Sequence, residues 1–213
     1  MRLVKTGLIA IAATFAVSAC HKAGTLDDTG VYVTRSSCPQ VGIPAGTGDI
    51  TLFNPPGSTD SRAIDVTATI SDLRATCGDV GNDVVSTATF TVVALRRDAG
   101  PARQVVLPYF NVALQGGGRI AAKSLGQAVL NFPAGGLHSW ARIQATVRVN
   151  RASATLPEDV RKIITRERRP GDPQAAIDPL SDPGVRAAVQ KATFEHLIGF
   201  QMTQDQLKYN ATR

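Results

Sequence analysis

The chain reads as a mainly β protein, an antiparallel β-sandwich over residues 30–152 followed by a helical extension over residues 153–213. Three observations predict this. Ile64 to Ser71 and His138 to Asn150 alternate between apolar and polar residues, the period-two pattern of strands with one buried and one wet face. Turn signals rich in Gly and Pro separate the strand candidates, and no helical periodicity lies between them. At Thr155 the pattern changes to helical spacing. A hydrophobic content of 43% is that of an ordinary globular chain, enough to bury a core.

Taken in order, Val31 to Val33 is a first edge strand, and Cys38 to Gly48 is a loop rich in Gly and Pro. Asp49 to Phe53 is a second strand, closed by Asn54-Pro55-Pro56-Gly57, whose prolines cannot donate to a ladder. Ile64 to Ser71 follows, then a hairpin loop through Cys77-Gly78-Asp79 and Gly81-Asn82-Asp83. Val84 to Leu95 is a long strand with Ala88, Phe90, Val92 and Ala94 on one side and Thr87, Thr89 and Thr91 on the other. Arg103 to Leu114 is the next strand, with Pro108 marking an edge or a bulge. Gly116-Gly117-Gly118 is a hairpin tip, since it lacks the Lys-Ser/Thr ending of a phosphate loop. Beyond Ser124, Ala128, Leu130 and Phe132 alternate. In His138 to Asn150, Ile143, Ala145, Val147 and Val149 face the core, and Arg142, Gln144, Thr146 and Arg148 face away. Trp140 is expected to pack on a neighbouring segment such as the C-terminal helices, an exposed ligand platform being the alternative. An open barrel is the alternative architecture.

Thr155-Leu156-Pro157-Glu158 has the form of a capping box ahead of Val160, Ile163 and Ile164, in a helix that stops before Pro170. Prolines 170, 173, 179 and 183 make a semi-rigid connector. Asp182-Pro183 opens a second helix carrying Val185, Val189, Ala192 and Leu197 and ending near Gly199. Thr203 to Gln206 is a further capping box, opening a short helix through Tyr209. Arg161, Lys162, Arg166, Arg168 and Arg169 form the sharpest candidate binding surface, for an anionic partner. The competing explanation is a solvated helix end whose cations suit the helix dipole.

At the other end, Arg2 and Lys5 precede an apolar run from Leu8 to Val17, broken only by Thr14, and Val17-Ser18-Ala19-Cys20 follows. The run is about half the ~20 residues that a membrane-spanning helix needs. These residues resemble the lipobox of bacterial lipoproteins. The resemblance implies a signal peptide over residues 1–19, acylation of Cys20, and a lipidated tether over residues 20–29. Two or three acyl chains hold a protein stably on a membrane where one does not. His21 follows Cys20 where the family's inner-membrane retention signal would place Asp, which implies an outer-membrane protein facing the periplasm. The stretch Phe194 to Arg213 is similar to the tail of uncharacterised lipoproteins of alphaproteobacteria, which implies no reaction. The long hairpins resemble immunoglobulin-like or fibronectin-like domains, a likeness of fold that carries no function.

With Cys20 taken by lipid, Cys38 and Cys77 remain of the three cysteines, and two thiols in an oxidising compartment pair. Their loop is worth about 4 kcal/mol by chain entropy. The formal charge is +6, of which Arg2 and Lys5 lie in the leader. In the envelope, such a mild basic balance suits an envelope protein, anionic lipid or glycan, and not nucleic acid. There is no G-x-S-x-G, no metal-ligand spacing and no cofactor motif. His138 and His196 are expected at the surface or in packing, leaving no catalytic residue to name. The sequence therefore points to a non-enzymatic, lipid-anchored binding or scaffolding component of the envelope. An envelope hydrolase with a non-local active site, and a secretion or assembly accessory docking through its C-terminal helices, are the alternatives.

Overall fold

The computed structural model describes residues 24–27, 30–33, 36–166, 171, 173 and 176–212. The chain divides into two compact units, Met1–Arg35 and Ser36–Arg213. In the first, β1 (Gly24–Asp27) pairs antiparallel with β2 (Gly30–Val33). The expected strand at Val31 to Val33 is there, and its partner lies in what the composition suggested was plain tether.

The second unit holds two four-stranded sheets. Sheet I has the order β3 (Gln40–Gly42), β10 (Phe194–Phe200), β7 (Arg103–Gln115) and β8 (Arg119–Phe132). Sheet II has the order β4 (Asp49–Phe53), β5 (Ile64–Val80), β6 (Asp83–Arg96) and β9 (His138–Asn150). Every pairing is antiparallel except β3 with β10. The helices are short: α1 (Arg151–Ala154), α2 (Glu158–Ile164), α3 (Pro183–Lys191) and α4 (Gln204–Thr212).

The alternating stripes of both sheets meet in one apolar cluster, with Phe90 and Val92 from β6, Leu107 and Tyr109 from β7, Leu130 and Phe132 from β8, and Ile198 and Phe200 from β10. A smaller cluster gathers Val84, Ala113, Val147, Val149, Ala154 and Phe194, with Cys38 against it. Tyr109 meets Phe90 edge to face with ring centroids 5.4 Å apart, and its ring fills the space above its cross-strand partner Gly126 that a Cβ would need.

Five expectations are corrected. The largest concerns Phe194 to Phe200, which is a strand between β3 and β7 and not the end of a helix; α3 stops at Lys191. Phe194, His196, Ile198 and Phe200 face inward at period two. A histidine on the buried side and Leu197 on the other disguised the alternation. The C-terminal segment is thus no purely helical extension. Second, Cys77-Gly78-Asp79 belongs to β5, opposite Ser86, Val85 and Val84, and the turn is only Gly81-Asn82. The pattern stopped being legible at Ser71 because a bulge at Asp72 and Leu73, with Asp72 at φ 50°, flips the register. Third, β3 lies inside the expected loop, and fourth, β8 begins at Arg119, before any alternation is visible.

Fifth, the Thr155 capping box does not form: the Thr155 hydroxyl donates to the Arg151 carbonyl, and α2 has Pro157 at its N-cap and ends at Ile164. The other two caps are made. Asp182 accepts from the amides of Gly184 and Val185, and Thr203 and Gln206 cap each other reciprocally. Pro108 also keeps to an edge. Strand β10 ends opposite Tyr109, and the Pro108 carbonyl takes the Gln201 amide at 2.9 Å on the side where its own nitrogen has no hydrogen to offer.

Candidate functional site

Of the residues singled out from sequence, Cys20, Arg168 and Arg169 lie outside the described residues. Cys38 and Cys77 form a disulfide, tying the segment before β3 to the outer half of β5. Arg161 and Lys162 both face Glu158, three and four residues back on α2, so each of these two cations has a local partner. Arg166 is exposed beyond the end of the helix. The basic segment is therefore neutralised in part from within.

The most organised polar constellation is one the sequence did not disclose. Strands β6, β7, β8, β9 and β10 each bring one group to a common level between the two apolar clusters. Ser86 Oγ lies 3.0 Å from His196 Nδ1, and His196 Nε2 lies 2.6 Å from Asn111 Oδ1. Asn111 Nδ2 donates to the Thr146 carbonyl at 3.0 Å and to Ser124 Oγ at 3.1 Å. Because Asn111 spends its amide hydrogens on those two, its oxygen must accept, which puts the imidazole proton on Nε2 and leaves Nδ1 to accept from the Ser86 hydroxyl. Every donor and acceptor is matched with the ring neutral. Burial favours that state and pulls the His196 pKa down from 6.5 to about 4.

A serine, a histidine and an asparagine in file have the connectivity of a nucleophile, a base and an orienter. Here Ser86 and His196 both have 0% exposure, so no substrate atom can approach the hydroxyl. The layer is a structural partition. Ser86, Asn111 and His196 each stand two residues from a member of the large cluster and two from a member of the small one. His196 was expected in packing and is there; His138 is exposed at the start of β9.

Among the described residues, two surface features set aromatic side chains beside polar ones in a way that suits a ligand. A cleft of about 480 Å³ opens between the turn after β4 and α4, lined by Phe53, Pro56, Ser58, Thr59, Asp65, Asp205, Gln206 and Tyr209. The rings of Phe53 and Tyr209 meet edge to face at 5.0 Å, and Arg103 grips Asp65 with two hydrogen bonds of 2.8 and 3.0 Å. The cleft offers hydroxyls, a carboxylate at Asp205 and an apolar wall, so it suits a small polar ligand with a hydrocarbon face and disfavours an anion. The second feature is the outer face of sheet II around Trp140, which is 70% exposed and does not pack on the C-terminal helices as expected. Its cross-strand neighbour is Val93, and Leu95 stands opposite His138 one row on; both aliphatic side chains are exposed. Among the described residues, no group of three or more His, Cys, Asp or Glu side chains could hold a metal ion, and no helix is long and apolar enough to cross a membrane. Comparison of the chain with protein-family models, with curated proteins and with solved structures finds no match.

Proposed function

We propose that the protein is a non-enzymatic binding or scaffolding component of the bacterial cell envelope, anchored to the outer membrane through lipid on Cys20 and facing the periplasm. The observation that carries this reading is the Cys38–Cys77 disulfide, a bond of oxidising compartments, in a chain whose Val17-Ser18-Ala19-Cys20 leader would deliver it to one. The surfaces offered to a partner, an aromatic-lined cleft and an exposed Trp-bearing sheet face, are those of a binder. The hydrolase reading draws no support from Ser86, the serine best placed beside a histidine, because it is sealed. Docking through a helical tail is disfavoured too, since β10 ties that tail into sheet I. We also read the two sheets as a β-sandwich of the broad kind that includes immunoglobulin-like and fibronectin-like domains; the apolar clusters, each drawn from both sheets, support this.

The test is mass spectrometry of the mature N-terminal peptide from cells fed an alkyne fatty acid, beside a Cys20→Ser chain. An acylated Cys20 at the new N-terminus, with membrane recovery lost in the variant, is the expected result. An unmodified Cys20 in the mature protein would overturn the reading.

A further inference from the structure

We propose that the outer face of sheet II around Trp140 is a docking surface for an anionic lipid bilayer. The inference extends the envelope reading by naming the face that meets the membrane, and its test is independent of the lipid on Cys20. On β9 the outward side chains run His138, Trp140, Arg142, Gln144, Thr146 and Arg148, all exposed. On β6 their outward neighbours run from Leu95 through Val93 and the threonines Thr91, Thr89 and Thr87 to Val85 and Asp83.

Two properties of this face coincide. Its charge is predominantly positive: Arg142 and Arg148 make no ion pair among the described residues, Asp83, at the end far from Trp140, is the one carboxylate at the outward positions of β6 and β9, and on β5 Arg74 is balanced by Asp72. Its apolar part is contiguous, because Trp140 is paired with Val93 and Leu95 lies on the same side two residues away. An indole with aliphatic neighbours gains by entering the headgroup boundary, where Trp concentrates in membrane proteins, and arginines beside it gain from anionic headgroups. A sugar would instead ask for hydrogen-bonding side chains all round the indole; His138 and Arg142 flank it along β9, but across the strand it meets the exposed aliphatic residues Val93 and Leu95, which favours lipid over glycan.

Trp140 is the sole tryptophan of the chain, so its fluorescence reads this face and nothing else. The experiment uses the mature chain carrying Cys20→Ser, which has no acyl anchor, with vesicles of phosphatidylcholine alone and of phosphatidylcholine with 30% phosphatidylglycerol. Expected are a blue shift of the emission, quenching by brominated acyl chains, and co-sedimentation with the anionic vesicles only, weakening as salt rises. Arg142→Gln with Arg148→Gln should lower vesicle affinity about tenfold or more. Trp140→Ala should do the same by sedimentation, with the thermal unfolding midpoint of each variant close to that of the parent. Emission unmoved by anionic vesicles would overturn the proposal. So would a shift produced by a soluble anionic polysaccharide and not by vesicles, which would reassign the face to glycan. Either result leaves the Cys20 reading to its own test.

Discussion

Strand β6 carries two polar residues into the interior, Arg96 at its end and Ser86 near its start, with Phe90 and Val92 between them. The two lead to polar constellations of opposite kind. Arg96 is 4% exposed, yet its guanidinium donates to four backbone carbonyls: Gly136 at 2.6 Å, Pro101 at 2.8 Å, Gly100 at 3.0 Å and Pro133 at 3.1 Å. Those carbonyls belong to the turns β6–β7 and β8–β9, so one side chain fastens both turns, with the Phe132 ring 5.5 Å from its central carbon. At Ser86 the buried group is an imidazole, and the network around it is satisfied by side chains with the ring neutral. The contrast follows from what each place can supply. Turns expose unused carbonyls, which suit a cation; between strands most carbonyls are taken by the ladder, so side chains match the neutral ring, and the edge strand β9 lends the network one carbonyl, that of Thr146.

If that contrast is right, the two ends of β6 respond differently. The largest effect is expected from Arg96→Met, about 3–5 kcal/mol of unfolding free energy, because four buried carbonyls lose a charged donor at once. Urea unfolding measures it, and a loss below 1 kcal/mol would mean that water replaces the guanidinium without penalty.

The next effect is on pH. His196 is neutral in the fold with its pKa near 4, against 6.5 when unfolded, so the unfolded chain takes up the proton first as pH falls. Stability from this group is whole above about pH 6.5 and is lost as pH falls toward about 4, by roughly 3 kcal/mol. His196→Gln keeps a donor and an acceptor but cannot titrate, so it should show a shallower loss between pH 7 and pH 4. Equal slopes would place the acid sensitivity elsewhere. Arg96→Met leaves the His196 network in place, so it should keep the parent's pH slope.

The smallest effect is expected from Ser86→Ala, about 1–2 kcal/mol, which removes the one donor to His196 Nδ1 and leaves that nitrogen buried with nothing to accept from. Unfolding free energies at pH 7 would show it, and no change would indicate that the imidazole has switched tautomer and partner.

How much of this was open to reading follows the same division. Strands that alternate without a fault, such as β6 and β9, could be assigned from sequence because the buried stripe is apolar and the wet one is not. Where the buried stripe carries a polar residue, the pattern fails: His196 hid β10, and the bulge at Asp72 hid the outer half of β5. The disulfide was legible because the lipobox resemblance set Cys20 aside, leaving Cys38 and Cys77 to each other. The polar layer was not, since Ser86, Asn111 and His196 are far apart in the chain and meet only after the sheets have formed. Trp140 was misjudged because period two fixes the face of a strand but not what covers that face.

The position of β10 bears on the order in which the molecule can be completed. It is the last strand among the described residues, yet it lies inside sheet I, hydrogen-bonded to β3 on one side and along its whole length to β7 on the other. Until those residues have been synthesised and delivered, β7 keeps an open edge and the large cluster lacks Ile198 and Phe200. Contacts so distant in sequence form slowly. A chain delivered N-terminus first would therefore keep this edge open to holdases until residues 194–200 have arrived, and completion of sheet I would be gated by them.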